Sequence, residues 1–150
     1  MSEASFWKYL VKCLPKEGHY SRIESHDTSS GFPDIHYTLS GNSGTIELKD
    51  AKRPGSKYPF SGPSALRKSQ LRWIEAEIAA NGVILLALQC GDRVYMLRAG
   101  DYYDGLHTMT LEEITRVSVL NWRKGQIRRG IYEDAYPLET ALGDLMEGQL

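Results

Sequence analysis

Pro33-Asp34-Ile35-His36-Tyr37-Thr38-Leu39, Ser40-Gly41-Asn42-Ser43-Gly44 and Thr45-Ile46-Glu47-Leu48-Lys49 run consecutively, and these seventeen residues decide how the chain folds. The first block, Pro33 to Leu39, reads as a strand, and the last, Thr45 to Lys49, reads as another. The block between them is turn chemistry, so the two strands form an antiparallel hairpin. Glu47 and Lys49 stand two apart, which puts both side chains on one face of their strand. Ile46 and Leu48 take the other face, where a core can bury them.

Working outward, Phe6, Leu10, Cys13 and Leu14 are spaced for one side of a short helix that ends near Gly18. His19 to Glu24 is an extended entry or strand, and Asp27 to Gly31 is a loop by composition. Downstream, Ala51 to Pro63 holds Pro54, Pro59, Pro63 and two glycines and is a long loop. Ser64 reads as the N-cap of a helix over Ala65 to Ala80, with Leu71, Ile74 and Ile78 on its apolar side. Asn81-Gly82 stops it.

Val83 to Leu88 is an apolar run of strand length. Gly91-Asp92 then turns into a strand over Arg93 to Leu97. Thr110 and Glu113 form a capping box for a helix to about Val117. Pro137 opens a last short helix with Leu138, Leu142, Leu145 and Met146 on one side, but with no evident partner in the chain. The expected fold class is α/β, a small mixed sheet flanked by helices. We expect one domain over residues 1–150, with a core over about 1–117 and a C-terminal extension over about 118–150.

Asp34 starts the strand paired with that of Glu47, so the two carboxylates can approach each other. Carboxylates held together repel unless a cation lies between them. Hard oxygen ligands with room for water favour Mg²⁺ or Mn²⁺. Such an ion binds a phosphodiester oxygen, acidifies a bound water and stabilises the pentacoordinate transition state. Lys49 can orient the attacking water, offset charge on the phosphate or take part in proton transfer. The bland alternative is an exposed hairpin with ordinary surface Asp, Glu and Lys side chains.

Charge distribution supports the catalytic alternative. The net charge is only −1, yet Lys49 to Trp73 carries seven basic side chains against Asp50, a net of +6. Ile131 to Leu150 carries five acidic side chains and no basic one. Lys52, Arg53, Lys57, Arg67, Lys68 and Arg72 would flank the carboxylates and contact phosphates, which gives affinity but little sequence reading. Asn121-Trp122-Arg123-Lys124, with Arg128 and Arg129, is a second basic patch, suited to a DNA arm or to a solvated linker. Two cysteines, Cys13 and Cys90, are too few for a disulfide scaffold and fit a reducing cytoplasm. Cys90 reads as a small buried hydrophobe. No signal peptide or membrane span is expected.

Taken together, Arg22-Ile23-Glu24, Gly31-Phe32-Pro33-Asp34, Ile46-Glu47-Leu48-Lys49, Leu66 through Gln70 to Trp73, and the strand from Val83 resemble the PD-(D/E)XK nuclease superfamily. Within it they are similar to the stand-alone VRR-Nuc nucleases of phages and bacteria, relatives of archaeal-type Holliday junction resolvases. The resemblance covers about Tyr20 to Leu97. It implies a restriction-endonuclease-like core, with Asp34, Glu47 and the Leu48 carbonyl holding the metal and Lys49 as catalytic lysine. It also implies Glu24 as an upstream acidic ligand and Gln70 as a helix residue facing the same centre. The alternatives are a surface salt bridge for Glu24 and an exposed polar residue for Gln70. Trp73 reads as a core aromatic. The segment after Arg98 matches no motif of the family.

The function implied is a Mg²⁺-dependent endonuclease acting on DNA by structure, with Holliday junctions as one substrate. The alternatives are a nuclease for flaps, single strands or duplex, and a nuclease-like module without catalysis. Junction cutting would need two centres and hence a homodimer. The expected site of action is the cytoplasm, that of the host if the chain is phage-encoded.

Overall fold

The computed structural model describes residues 2–23, 31, 33–125 and 138–150. The expected roles of Glu24, Arg128 and Arg129 lie outside the described residues, as do Phe32 and Pro137. The helices are α1 (Glu3–Cys13), α2 (Lys68–Ala79), α3 (Ala99–Tyr102), α4 (Leu111–Val117) and α5 (Leu138–Met146). The strands are β1 (His19–Arg22), β2 (Ile35–Leu39), β3 (Asn42–Asp50), β4 (Ile84–Cys90), β5 (Arg93–Arg98) and β6 (Leu120–Arg123). They form one six-stranded sheet in sequence order. All neighbours are antiparallel except β3 and β4, which run parallel. The architecture is α/β, a mixed sheet flanked by helices, as the sequence leads one to expect. No helix among the described residues is long and apolar enough to cross a membrane.

The hairpin forms, but with a tighter turn than Ser40 to Gly44. Leu39 pairs with Asn42, leaving only Ser40 and Gly41, both at positive φ (51° and 81°). That is the twist a two-residue hairpin favours. Asn42, Ser43 and Gly44 therefore belong to β3. Gly44 lies opposite Tyr37, whose hydroxyl and nearest ring carbon would lie 2.5 and 2.6 Å from any added Cβ. The absent side chain is what lets the Tyr37 ring lie across the pair, where its hydroxyl donates to the Met146 carbonyl at 3.1 Å.

Both faces of the sheet are covered. Phe6, Leu10, Ile46, Leu48, Leu85, Ala87, Val94 and Met96 form one apolar layer with α1 and α5. Leu86, Leu88, Tyr95 and Leu97 form the other with Ile74, Leu106 and Ile114. Trp73 packs on this second layer while half-buried, in keeping with its reading as a core aromatic. Cys90 ends β4 and is buried.

The tail that lacked an evident partner has one. Leu138, Leu142, Leu145 and Met146 are buried against the α1 side of the sheet. Burying such a leucine contributes strongly, so Leu142→Ala should cost about 2–5 kcal/mol in a chemical denaturation curve. A loss below about 1 kcal/mol would mean that α5 is not seated there.

The stretch Asn121 to Lys124, read as a basic patch for a DNA arm or a solvated linker, is mostly strand, which excludes the linker. β6 pairs with β5, and Trp122 is fully buried with its indole N–H donating to the Tyr9 hydroxyl at 2.7 Å. The alternation of Leu120 and Trp122 with polar neighbours is the strand signal that the charges obscured.

α2 begins at Lys68 and not at Ala65. Ser64 sits in a 3-10 turn (Gly62–Ser64), and its hydroxyl accepts the Lys52 N–H at 2.9 Å. With that oxygen spent on the loop, the cap falls to Gln70, whose Oε1 accepts the Arg67 N–H at 2.8 Å. Arginine has no acceptor to return, so only half of a capping box is made.

Candidate functional site

β3 is the strand on which the site is built. Its neighbour β2 begins only at Ile35, which pairs with Ile46. Beyond that pair, the β2-side edge of β3 has no strand partner, and Asp34 fills the gap. Its Oδ2 accepts the Leu48 N–H at 2.8 Å. In an extended strand a residue's N–H and C=O leave the same edge, so the Leu48 carbonyl also faces Asp34. The Asp34 carbonyl accepts the Ile23 N–H at 2.7 Å, which fixes the entry to β2. Gly31, at φ +65°, lies against the Ser69 carbonyl, 2.0 Å from where a Cβ would be. A side chain there would push the Asp34 segment away from α2.

Glu47 and Lys49 lie on the α2 side of β3, opposite Leu86 and Leu88 of β4. They are not surface residues: Glu47 is 1% exposed and Lys49 6%. The exposed-hairpin alternative is therefore excluded by burial. Gln70 comes down from α2, and its Nε2 donates to Glu47 Oε1 at 2.6 Å. One amide thus caps α2 through its oxygen and holds the Glu47 carboxylate through its nitrogen. Gln70 is 4% exposed, so the surface alternative fails for it too. Burial above all, and then the charge of Asp34, hold the Glu47 carboxyl well above the usual carboxylate range, with Lys49 opposing.

Glu3 also reaches this region, and the sequence reading passed it over. It is half-buried in the first turn of α1. Burial pushes its carboxyl up; among charges it feels Lys49 first, then Asp34, Lys52 and Asp50. Nothing in local spacing signals this, because it is a long-range packing result of α1 crossing the sheet.

Sequence reading also missed a buried polar relay on the opposite, α1 side of the same strand ends. Asp50 and Gln89 are 5% and 0% exposed, and Gln89 Nε2 donates to Asp50 Oδ1 at 2.9 Å. Lys124 donates to the Gln89 oxygen and lies over the Tyr9 ring.

The basic residues fall into two groups. Lys52, Arg53 and Lys57 are exposed on the loop after β3, and Arg67 is exposed just before α2. Lys68 and Arg72 are each two residues from Gln70, about 160° around the helix, so they sit on the side turned away from Glu47. The structure does not bring these two together with the carboxylates.

Among the described residues no group of three His, Cys, Asp or Glu side chains is poised as a metal cage. The donor set still fits a hard divalent cation. Mg²⁺ keeps several waters and needs only one or two carboxylates. Asp34, Glu47 and the Leu48 carbonyl supply hard oxygens around one end of β3; burial and, after it, the charge of Asp34 raise the Glu47 carboxyl, and a cation would relieve both.

No family model and no curated protein matches the chain. Among solved structures there is a likeness to Hjc of Archaeoglobus fulgidus, described as a Holliday junction resolvase from an archaeal hyperthermophile. The two are 13% identical and superpose with a TM-score of 0.43, over 76% of this chain and 95% of that one.

Gln70→Ala should lower the stability of the metal-free protein by about 1–3 kcal/mol, because a buried acceptor and a helix N–H lose their partner. It should also lower any site-dependent rate more in kcat than in KM. Unchanged stability would contradict the dual role of the amide.

Proposed function

We propose that the chain is a divalent-metal-dependent endonuclease that hydrolyses DNA phosphodiester bonds, with Asp34, Glu47 and the Leu48 carbonyl as the Mg²⁺ or Mn²⁺ ligands and Lys49 as the catalytic lysine. One observation carries this reading. A glutamate and a lysine lie buried side by side on a covered strand, and burial first, then the charge of Asp34, raise the glutamate's pKa. Burying such charges costs several kcal/mol in real proteins, and a hydrophobic pair of similar volume would stabilise the strand at least as well. Their burial without a structural gain points to chemistry.

When bound, the ion would lower the pKa of a water and take up charge on the phosphate. The chain's own groups do the rest. Asp34 is aimed by its bond to the Leu48 N–H. Glu47 is held by Gln70. The Lys49 ammonium shares the face of Glu47, where it can hold the attacking water or neutralise a non-bridging oxygen as the P–O bond breaks. Glu3 adds a further carboxylate within electrostatic range of Lys49 and Asp34.

The exposed cations of the loop would bind the backbone of DNA, and the chain carries no base-reading motif. We therefore infer selection by DNA structure, with branched DNA and a homodimer at four-way junctions as the leading form. Flap, single-stranded or duplex cleavage by a monomer is the competing form. A panel of junction, flap, duplex and single-stranded substrates with Mg²⁺ or Mn²⁺ decides between them. Junction cleavage by a protein that sediments as a monomer on DNA would rule out the paired mechanism.

A further inference from the structure

The loop between β3 and α2 encloses a concavity. It is a cavity of about 210 Å³, walled by Lys52, Arg53, Ser56, Ser61 and Ser64, with prolines between them. None of its lining residues is acidic. Small-molecule sites usually start near 300 Å³. At about 30 Å³ per water, this one holds about seven waters. That suits a phosphate group and its hydration, and it is too small for a nucleoside.

The pocket is also preformed. The Ser56 and Ser61 amides close turns onto the Arg53 and Tyr58 carbonyls at 3.0 and 3.1 Å, and Ser64 and Ala65 continue the pattern. Phe60 is fully buried and anchors the loop to the α2-side core. The Ser56 and Ser61 hydroxyls donate to the Arg53 and Tyr58 carbonyls. The Ser64 hydroxyl accepts the Lys52 N–H and keeps its own proton to give. The loop backbone is thus fixed, and it places two exposed cations and a buried hydroxyl donor around one anion-sized space.

Its place matters as much as its charge. Lys52 is three residues beyond Lys49, so the two Cα atoms are at most about 11 Å apart. The Lys52 ammonium is 4.0 Å from Asp50, at the strand end but on the α1 side, and lies in the field of Glu3, which also feels Asp34. Phosphates along one strand recur about every 3.4 Å of helix axis. An upper limit of about 11 Å corresponds to about three such steps, so a backbone phosphate flanking the scissile one is within reach of the loop.

We propose that the pocket is a subsite for an internal backbone phosphate flanking the scissile one, held by Lys52, Arg53 and the Ser64 hydroxyl. The position relative to the scissile bond rests on the nuclease reading; anion binding by the pocket does not.

Two measurements on the full chain test it. Inorganic phosphate is titrated into the metal-free protein while amide resonances are followed by NMR. Saturable shifts at Lys52, Ser61 and Ser64, abolished in the double variant Lys52→Gln/Arg53→Gln, are expected. No shift, or the same shifts in the variant, overturns the pocket. Next, oligonucleotides carrying one methylphosphonate at successive positions are bound to Asp34→Asn protein with the loop intact or doubly substituted. One internal position should weaken binding about tenfold with the intact loop and have no effect with the substituted loop. Equal losses at every position, or an effect seen only at a 5′-terminal phosphate, contradict an internal subsite. Neither measurement needs cleavage. A wild-type protein that cuts nothing yet shows the phosphate shifts would sink the nuclease reading and leave the anion pocket standing.

Discussion

Asp34→Asn should abolish cleavage, lowering the single-turnover rate by about 10³-fold or more. The size follows from the several kcal/mol that metal-assisted charge stabilisation supplies, at about 1.4 kcal/mol per decade of rate. The asparagine is chosen with care. Its amide oxygen can still accept the Leu48 N–H that Asp34 now accepts, so the edge of β3 stays closed while the charge is lost. Asp34→Ala would remove both, leaving a backbone N–H without its partner, and a fall in activity could then be blamed on local unfolding. Circular dichroism and a denaturation curve should show Asp34→Asn folded and within about 1 kcal/mol of wild type. Near-normal cleavage by that variant would remove Asp34 from the chemistry.

Glu47→Gln should make the metal-free protein more stable while destroying its activity. The sign follows from the raised Glu47 carboxyl. A group whose folded pKa lies above its unfolded value, near 4.3, gives its full contribution below that value. The contribution is lost as pH rises through the raised folded pKa. Wild type in chelator should therefore lose stability relative to Glu47→Gln between mildly acidic and alkaline pH. The two should come together near pH 4. Each kcal/mol corresponds to about 2–4 °C in Tm for a domain of this size. Added Mn²⁺ should reverse the order, because it stabilises only the protein that binds it. Equal Tm values across the pH range, or equal stabilisation of both proteins by Mn²⁺, would contradict a strained, metal-ready carboxylate.

The hairpin and its Glu-x-Lys pair were legible because they are local. Turn residues, period-two alternation and a spacing of two need no knowledge of the rest of the chain. Gln70 was legible only through family resemblance; the structure adds that one amide both caps α2 and grips Glu47. The start of α2 was misread because Ser64 is a good cap in isolation. Its oxygen is taken by Lys52, a partner twelve residues earlier. β6 was misread because Arg123 and Lys124 drew attention to charge, while Trp122 was already marking a buried face. The apolar stripe of α5 was visible, but its partners, α1 and β3, lie far away in sequence, at the other end of the chain and in the first hairpin. Glu3 and the Asp50–Gln89–Lys124 relay share that origin: each depends on which elements cross the sheet, and no spacing rule reports it.

The central claim is that buried Glu47 and Lys49, facing Asp34, exist to cut DNA with a bound metal. Single-turnover cleavage of the four-substrate panel in Mg²⁺, by wild type and by Lys49→Ala, tests it most directly. Wild type is expected to cut at least one substrate, and Lys49→Ala to be slower on it by about 10²-fold or more, an ordinary loss for one removed charge-stabilising group. Equal rates for the two proteins, or no cleavage of any substrate by wild type, would contradict it.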